Sequence, residues 1–309
     1  MRFGVVPSSV RRDVLAWHGA DGQAWLDELP RTVWALARKW SLKLDVPAFA
    51  GGSQAYVVAA RREDGSDAVL KVPYVDDENR AEATALRAYD GDGAVRLYDY
   101  DPSTGGILME RLVPGNRLKS TRFFGHRTPE AAWRRIGIAC GLYRRLWRPV
   151  ESFEGLPEIP NAADLVEAWI AAYRTAGPET LYRAGEETLR LGVELGEELL
   201  RETPELGLAN RDTHLTNIVS AEREPWLLID PKPCVAERAF DGGYFLFKQQ
   251  VHGPHSGTDL LQAVAEGLGA DAGRVRSWAM LRCVDQIVGA DSDQERHLAL
   301  KALDDLQRA

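Results

Sequence analysis

Cysteine is scarce in this chain. Three occur in 309 residues, Cys140, Cys234 and Cys283, an odd number set far apart. The count excludes a disulfide framework and the spacing offers no cysteine metal cluster, so a reducing cytoplasm is expected. Long apolar runs are missing too. No stretch approaches the roughly 18 residues of a bilayer span, and the opening "MRFGVVPSSVRRDVLAW" lacks the apolar centre of a signal peptide. No membrane association is expected. Positive charge is in deficit: 38 Lys and Arg against 46 Asp and Glu leave a formal net charge of −8. That argues against a nucleic-acid partner and is compatible with a cationic small molecule. Internal repeats and low-complexity tracts are absent.

What remains is an ordinary globular composition, 45% hydrophobic and 27% charged, over a length that suits one large domain or two lobes. Residues 10–41 read as helix, with Trp17, Trp25, Leu26, Leu29, Val33, Trp34, Leu36 and Ala37 at helical spacing and breaks near Gly19–Gly22 and Pro30. The tryptophans there read as core. Between 45 and 115, "AYVVAARR" and "DAVLKVPYV" flank the turn "EDGSD". A helix follows in "DENRAEATALRAYD", then the β runs "AVRLYDYD" and "GGILMERLV". From 128 onward the pattern is helical: 128–147, 161–174, 178–202 and a C-terminal pair over about 257–308. Only "NIVSAEREPWLLID" interrupts it, as a hairpin. The expected class is therefore α+β in two lobes, residues 1–113 and 114–309, with a helical segment over 1–44.

The stretch "NRDTHLTNIV", residues 210–219, carries Asp212 and Asn217 with four residues between them. Protein kinases use this D-x-x-x-x-N spacing for a hydroxyl-orienting base and a metal ligand. Asp230 closes the apolar strand "WLLID", 13 residues after Asn217. Magnesium takes hard oxygens and few protein ligands, which suits this pair. Taken singly, each residue is a turn former or strand end; their joint spacing after a β-rich segment points to phosphoryl transfer. Gly51 and Gly52 with Ser53 lie between β runs, where backbone N–H groups can approach a phosphate. Lys71 is a lone charge in "AVLKV", with Glu82 eleven residues on; Glu78, one turn earlier, competes as its partner, and Ala85, Leu86 and Tyr89 favour Glu82.

On "AGGSQAYVVAARREDGSDAVLKV", "GDGAVRLYDYD", "LMERLVPG", "RDTHLTNIVSAEREPWLLIDPKP" and "AFD", the chain resembles the aminoglycoside phosphotransferase family of the kinase-like superfamily. Within it the streptomycin 6-kinase and hydroxyurea kinase group is the nearest resemblance, over roughly residues 45–250. The resemblance implies a protein-kinase-like fold, with a nucleotide-binding sheet and helix in the first lobe and the catalytic loop and acceptor site in the second. It implies an ATP- and Mg²⁺-dependent phosphotransferase acting on a hydroxyl, with a streptomycin-like aminoglycoside as acceptor and antibiotic inactivation as the outcome. Hydroxyurea, or a sugar or other metabolite, is the alternative acceptor, and a nucleotide-binding pseudoenzyme the alternative class. By position Asp212 corresponds to the base, Asn217 and Asp230 to the metal ligands, Lys71 and Glu82 to the phosphate-binding pair. Met109–Leu112, with Glu110 and Leu112, corresponds to the hinge that meets adenine.

The sequence departs from the group at Asn210-Arg211-Asp212, where His-Gly-Asp is usual. Asp241 in "AFDGGY" is expected to brace the catalytic loop, and "GGYF" to make an unusual substrate wall. For a cationic acceptor, Glu237 and Asp285 are the candidate acids; the alternatives are a solvated Glu237 and an Asp285 paired with Arg282 or Arg276. His214 reads as a packing residue, and His252 and His255 as a turn at the cleft mouth rather than a metal pair. There is no D-F-G, no A-P-E, and no room for an activation loop between Asp230 and Asp241, which disfavours a protein kinase. A monomer or homodimer is expected.

Overall fold

The computed structural model describes residues 4–50, 52–120, 128–152, 159–202 and 204–309. They cluster into two compact units, Met1–Gly115 and Asn116–Ala309.

The first unit opens with α1 (Ser8–Lys39), kinked at Gly19, whose φ of 50° and ψ of −120° are not helical. The expected break at Pro30 does not occur; the helix runs through it. Five strands follow: β1 (Lys43–Asp45), β2 (Ala55–Arg61), β3 (Asp67–Pro73), β4 (Leu97–Asp101) and β5 (Gly106–Glu110). They form one sheet in the order β1-β2-β3-β5-β4. Val10, Val14, Leu29, Val33 and Leu36 of α1 share a core with Tyr56, Val58, Ala68, Leu70 and Val72. That core takes one face of β2 and β3. Trp25 and Trp34 pack only partly against it, and Trp17 is 55% exposed, so the tryptophan stripe is peripheral rather than central. The helix expected over 77–90 is shorter, α2 (Glu82–Tyr89). Asp76 Oδ1 accepts from the backbone N–H of Glu78 and Asn79, so a side-chain-capped turn occupies the preceding residues.

β6 (Pro114–Arg117) carries the chain into the second unit. There α3 (Pro129–Leu146) and α4 (Ala162–Arg174) begin on side-chain caps, Thr128 and Asn161. The helix expected over 178–202 is two, α5 (Pro178–Ala184) and α6 (Glu186–Arg201), because Gly185 sits between them at φ 83°. β7 (Gly207–Asn210), β8 (Ile218–Ala221), β9 (Leu227–Leu228) and β10 (Pro233–Ala236) come next. β8 and β9 make the expected hairpin. The antiparallel β7–β10 pair was not expected; it brackets residues 211–232. After α7 (Arg238–His252), where a C-terminal pair was expected over about 257–308, there are three helices, α8 (Thr258–Leu268), α9 (Ala272–Gly289) and α10 (Asp293–Arg308). α7 packs against α9 through Gly243, where any Cβ would overlap Trp278. The "GGYF" glycines are thus helix-packing residues. No described helix is long and apolar enough to cross a membrane.

Candidate active site

In the first unit, Lys71 and Glu82 meet. Ala68, Leu70 and Val72 face the α1 core, so alternation along β3 turns Lys71 to the other face. There its Nζ donates to both carboxylate oxygens of Glu82, at 2.7 and 2.6 Å, and both residues are buried. Glu78 is exposed in the turn before α2. Gly52 and Ser53 lie in the bend before β2, Gly52 half-buried and Ser53 exposed; Gly51 falls outside the described residues. Glu110 ends β5, with its N–H donated to Arg96 O at 2.9 Å and its carboxylate accepting from Arg96 N at 3.1 Å. Leu112 follows, half-buried.

In the second unit the β7–β10 pair sets the loop that carries Asp212 and Asn217. Asn210 ends β7 and is buried. Its Oδ1 accepts from the N–H of Asp212 at 3.1 Å and of Lys232 at 2.9 Å, tying the two arms of the bracketed segment together. This Asx turn does locally what a supporting side chain must do there. From below, Asp241 in the first turn of α7 accepts from Asn210 N at 2.6 Å, and its carbonyl accepts from Thr213 Oγ1 at 3.2 Å. Burial pushes the Asp241 carboxyl up to about 8, against the Asn210 N–H and the Arg238 charge, which both lower it.

Asp212 Oδ2 is 3.0 Å from Asn217 Nδ2 and 3.1 Å from His214 Nε2. Burial alone would raise this carboxyl. The hydrogen bond from His214, with the positive charges of Lys232 and Lys248, outweighs it and holds the group down at about 2. His214 is therefore a partner of the acid and not mere packing, which its sequence context did not reveal. His252 ends α7, while His255 stacks on Trp133 with ring centroids 4.1 Å apart, so the two do not form a metal pair.

Asn217 and Asp230 come together through the hairpin. Ile218 pairs with Leu228, and Ile229 N donates to Asn217 O at 2.8 Å, which sets Asp230 one residue beyond the contact. Asp230 has a left-handed φ of 56°, a conformation a non-glycine residue seldom takes outside constrained sites. The donor set is an amide oxygen and a carboxylate. It fits Mg²⁺, which keeps water and phosphate in its remaining positions, and not zinc; no group of three or more His, Cys, Asp or Glu among the described residues could hold a metal alone.

The two acids expected to meet a cationic acceptor are placed differently. Glu237 is neither solvated nor free: it is buried, its Oε2 2.7 Å from Arg274 Nε and its Oε1 2.5 Å from Arg274 Nη2 and 2.7 Å from Trp278 Nε1. Both oxygens are taken up in holding α7 to α9. Asp285 pairs with Arg282 at 2.5 Å one turn along α9.

The sequence model described as aminoglycoside/hydroxyurea antibiotic resistance kinase matches residues 39–293. The chain belongs to this family. Among curated relatives of this kinase, the hydroxyurea phosphotransferase of Kitasatospora aureofaciens is 34% identical over 300 residues, covering 94% of this chain and 81% of that one. The streptomycin 6-kinase of Streptomyces griseus is 31% identical over 285 residues, covering 90% and 88%. Among solved structures, a choline/ethanolamine kinase family protein of Mesorhizobium loti aligns with a TM-score of 0.60 at 16% identity, over 91% of this chain and 93% of that one, which shows the kinase-like fold. As a member of the antibiotic resistance kinases, the chain is a phosphotransferase that acts on a hydroxyl group.

Proposed function

We propose that this kinase transfers the terminal phosphoryl group of Mg·ATP to a hydroxyl of a small molecule, with Asp212 as the group that receives the hydroxyl proton. The observation that supports this reading is the contact of Asp212 with Asn217, beside Asp230 on one hairpin. Mg·ATP, when bound, supplies the phosphoryl group, and its metal neutralises charge on the transferred oxygens. Asn217 Oδ1 and the Asp230 carboxylate would hold that metal. Asp212 is a weak base at about 2, so its first task is to orient the hydroxyl, and the proton passes late. Lys71, fixed by Glu82, is the phosphate-binding cation; Gly52 and Ser53 bring backbone N–H groups to the phosphates, and the backbone of Glu110 and Leu112 meets adenine.

The relatives' names put streptomycin first and hydroxyurea second among acceptors to try. The test is ADP release across aminoglycosides, hydroxyurea and sugars, with and without Mg²⁺. Acceptor-dependent ADP release that Asp212→Ala abolishes is expected. ATP binding with no acceptor-dependent ADP release from any of these compounds would instead favour a nucleotide-binding pseudoenzyme.

A further inference from the structure

A cavity of about 670 Å³ opens in the second unit beside the catalytic loop, within the size range of small-molecule pockets. His214 and Thr216 of the loop line it, with Lys119, Arg135 of α3, and Lys248 and His252 of α7. Among the described residues, three formal cations and two histidines line this cavity and no carboxylate does. That is a concentrated positive wall in a chain of net charge −8.

The wall adjoins the base itself. Lys248 is near enough for its charge to help hold Asp212 down. In turn Lys248 is lowered by burial and by Arg282 and Lys232, with Asp212 and Glu295 acting against that. His252 is lowered by burial and by Lys248 and Lys119, again opposed by Glu295. Asp212 and Glu295 of α10 are the acids whose charge reaches Lys248. Glu295 is exposed, and its Oε2 already accepts from the N–H of Asp291. The carboxylates that a cationic acceptor would need are elsewhere, Glu237 on Arg274 and Asp285 on Arg282. An ammonium or guanidinium entering here would meet like charge. A carboxylate or phosphate would find donors of opposite charge.

We propose that this cavity receives the acceptor, and that it selects a hydroxylated small molecule carrying a carboxylate or phosphate close to the hydroxyl. The proposal rests on the kinase reading above, because Asp212 marks the acceptor side. It changes the order of acceptors to try: hydroxylated acids and sugar phosphates precede polycationic drugs.

The test is equilibrium binding to the full chain by calorimetry at low ionic strength, with ligands that share one ring and differ in charge: glucuronate, glucose 6-phosphate, glucose and glucosamine. At least one anion is expected to bind about tenfold or more tighter than glucosamine, with glucose between. Which anion is preferred separates a carboxylate site from a phosphate site. Lys248→Gln, or Lys119→Gln on the exposed rim should the first variant misfold, is expected to erase most of that preference. Glucosamine binding as tightly as the anions overturns the proposal. So does a preference that survives both substitutions, or an anion that Mg·ATP displaces one for one, which would assign the cations to the nucleotide. ADP release is measured separately. Turnover of cationic acceptors without anion preference sinks this proposal alone, whereas anion preference without turnover of any acceptor sinks the kinase reading and with it the acceptor role of the cavity, leaving an anion-binding site.

Discussion

His214 Nε2 lies 3.1 Å from Asp212 Oδ2, while its Nδ1 faces the backbone N–H of Thr216 at 3.3 Å. Because Nδ1 accepts, Nε2 carries the proton and donates to the acid. This bond is the largest of the effects that lower Asp212, to about 2. A carboxyl depressed in this way is ionised throughout the neutral range, and its ionised form is lost only as pH falls through the folded value. Replacing His214 by Leu should therefore raise the Asp212 pKa and move the acid limb of kcat/KM to higher pH. Superimposable acid limbs would remove His214 from this role. Asp212→Ala should lower kcat by about 10²–10⁴-fold with nucleotide binding nearly intact.

The Lys71–Glu82 pair is buried on both sides, 7% and 1% exposed in its side chains. Removing one partner strands the other charge, so Lys71→Ala should lose about 3–5 kcal/mol in urea unfolding. Lys71→Met with Glu82→Leu should recover most of that stability while ATP turnover stays absent. Recovery of turnover in the double variant would show that the pair is structural only.

Asp230→Asn keeps a residue type that tolerates the left-handed φ of 56°. Its thermal unfolding should match the native chain. Its Mg²⁺ dependence in the ATPase assay should shift by about tenfold or more, since a neutral amide replaces an anionic ligand. Unchanged Mg²⁺ titrations would show that the metal is held elsewhere.

Asp241 predicts a pH dependence of stability. Its carboxyl is raised to about 8 when folded, from an ordinary value near 4 when unfolded. The folded chain binds the extra proton, so this stabilisation is complete below pH ~4 and is lost as pH rises toward ~8. Asp241→Asn keeps an oxygen for the Asn210 N–H and cannot ionise. Its urea midpoint should fall less between pH 5 and pH 9 than that of the native chain. Parallel profiles would mean that Asp241 is ionised when folded.

Glu237→Gln should lower stability, because Arg274 keeps its charge inside the α7–α9 packing with a weaker partner. The variant should leave the KM of cationic and neutral acceptors alike. A KM effect confined to cationic acceptors would restore Glu237 to the acceptor site.

The sequence by itself determined the parts that are local or periodic. The β-rich first segment, most helices from 128 onward and the hairpin around 217–230 were legible because alternation and helical spacing record which face is buried. The pairing of Lys71 with Glu82 was legible because one strand residue and one first-turn residue fix their own directions. The proximity of Asp212, Asn217 and Asp230 was legible in their spacing, since a single loop and hairpin bring them together. Other features depended on which segments meet. Nothing near Glu237 signals Arg274, 37 residues on, and nothing near Asn210 signals that its amide would span to Lys232. The glycines at 242 and 243 resemble a pocket wall until α9 lies against them. Above all, charge in the sequence is a sum, whereas a binding site reads charge where side chains converge. The chain is net acidic, yet Lys119, Arg135 and Lys248 line the cavity beside Asp212, and only tertiary structure decides which sign a ligand meets.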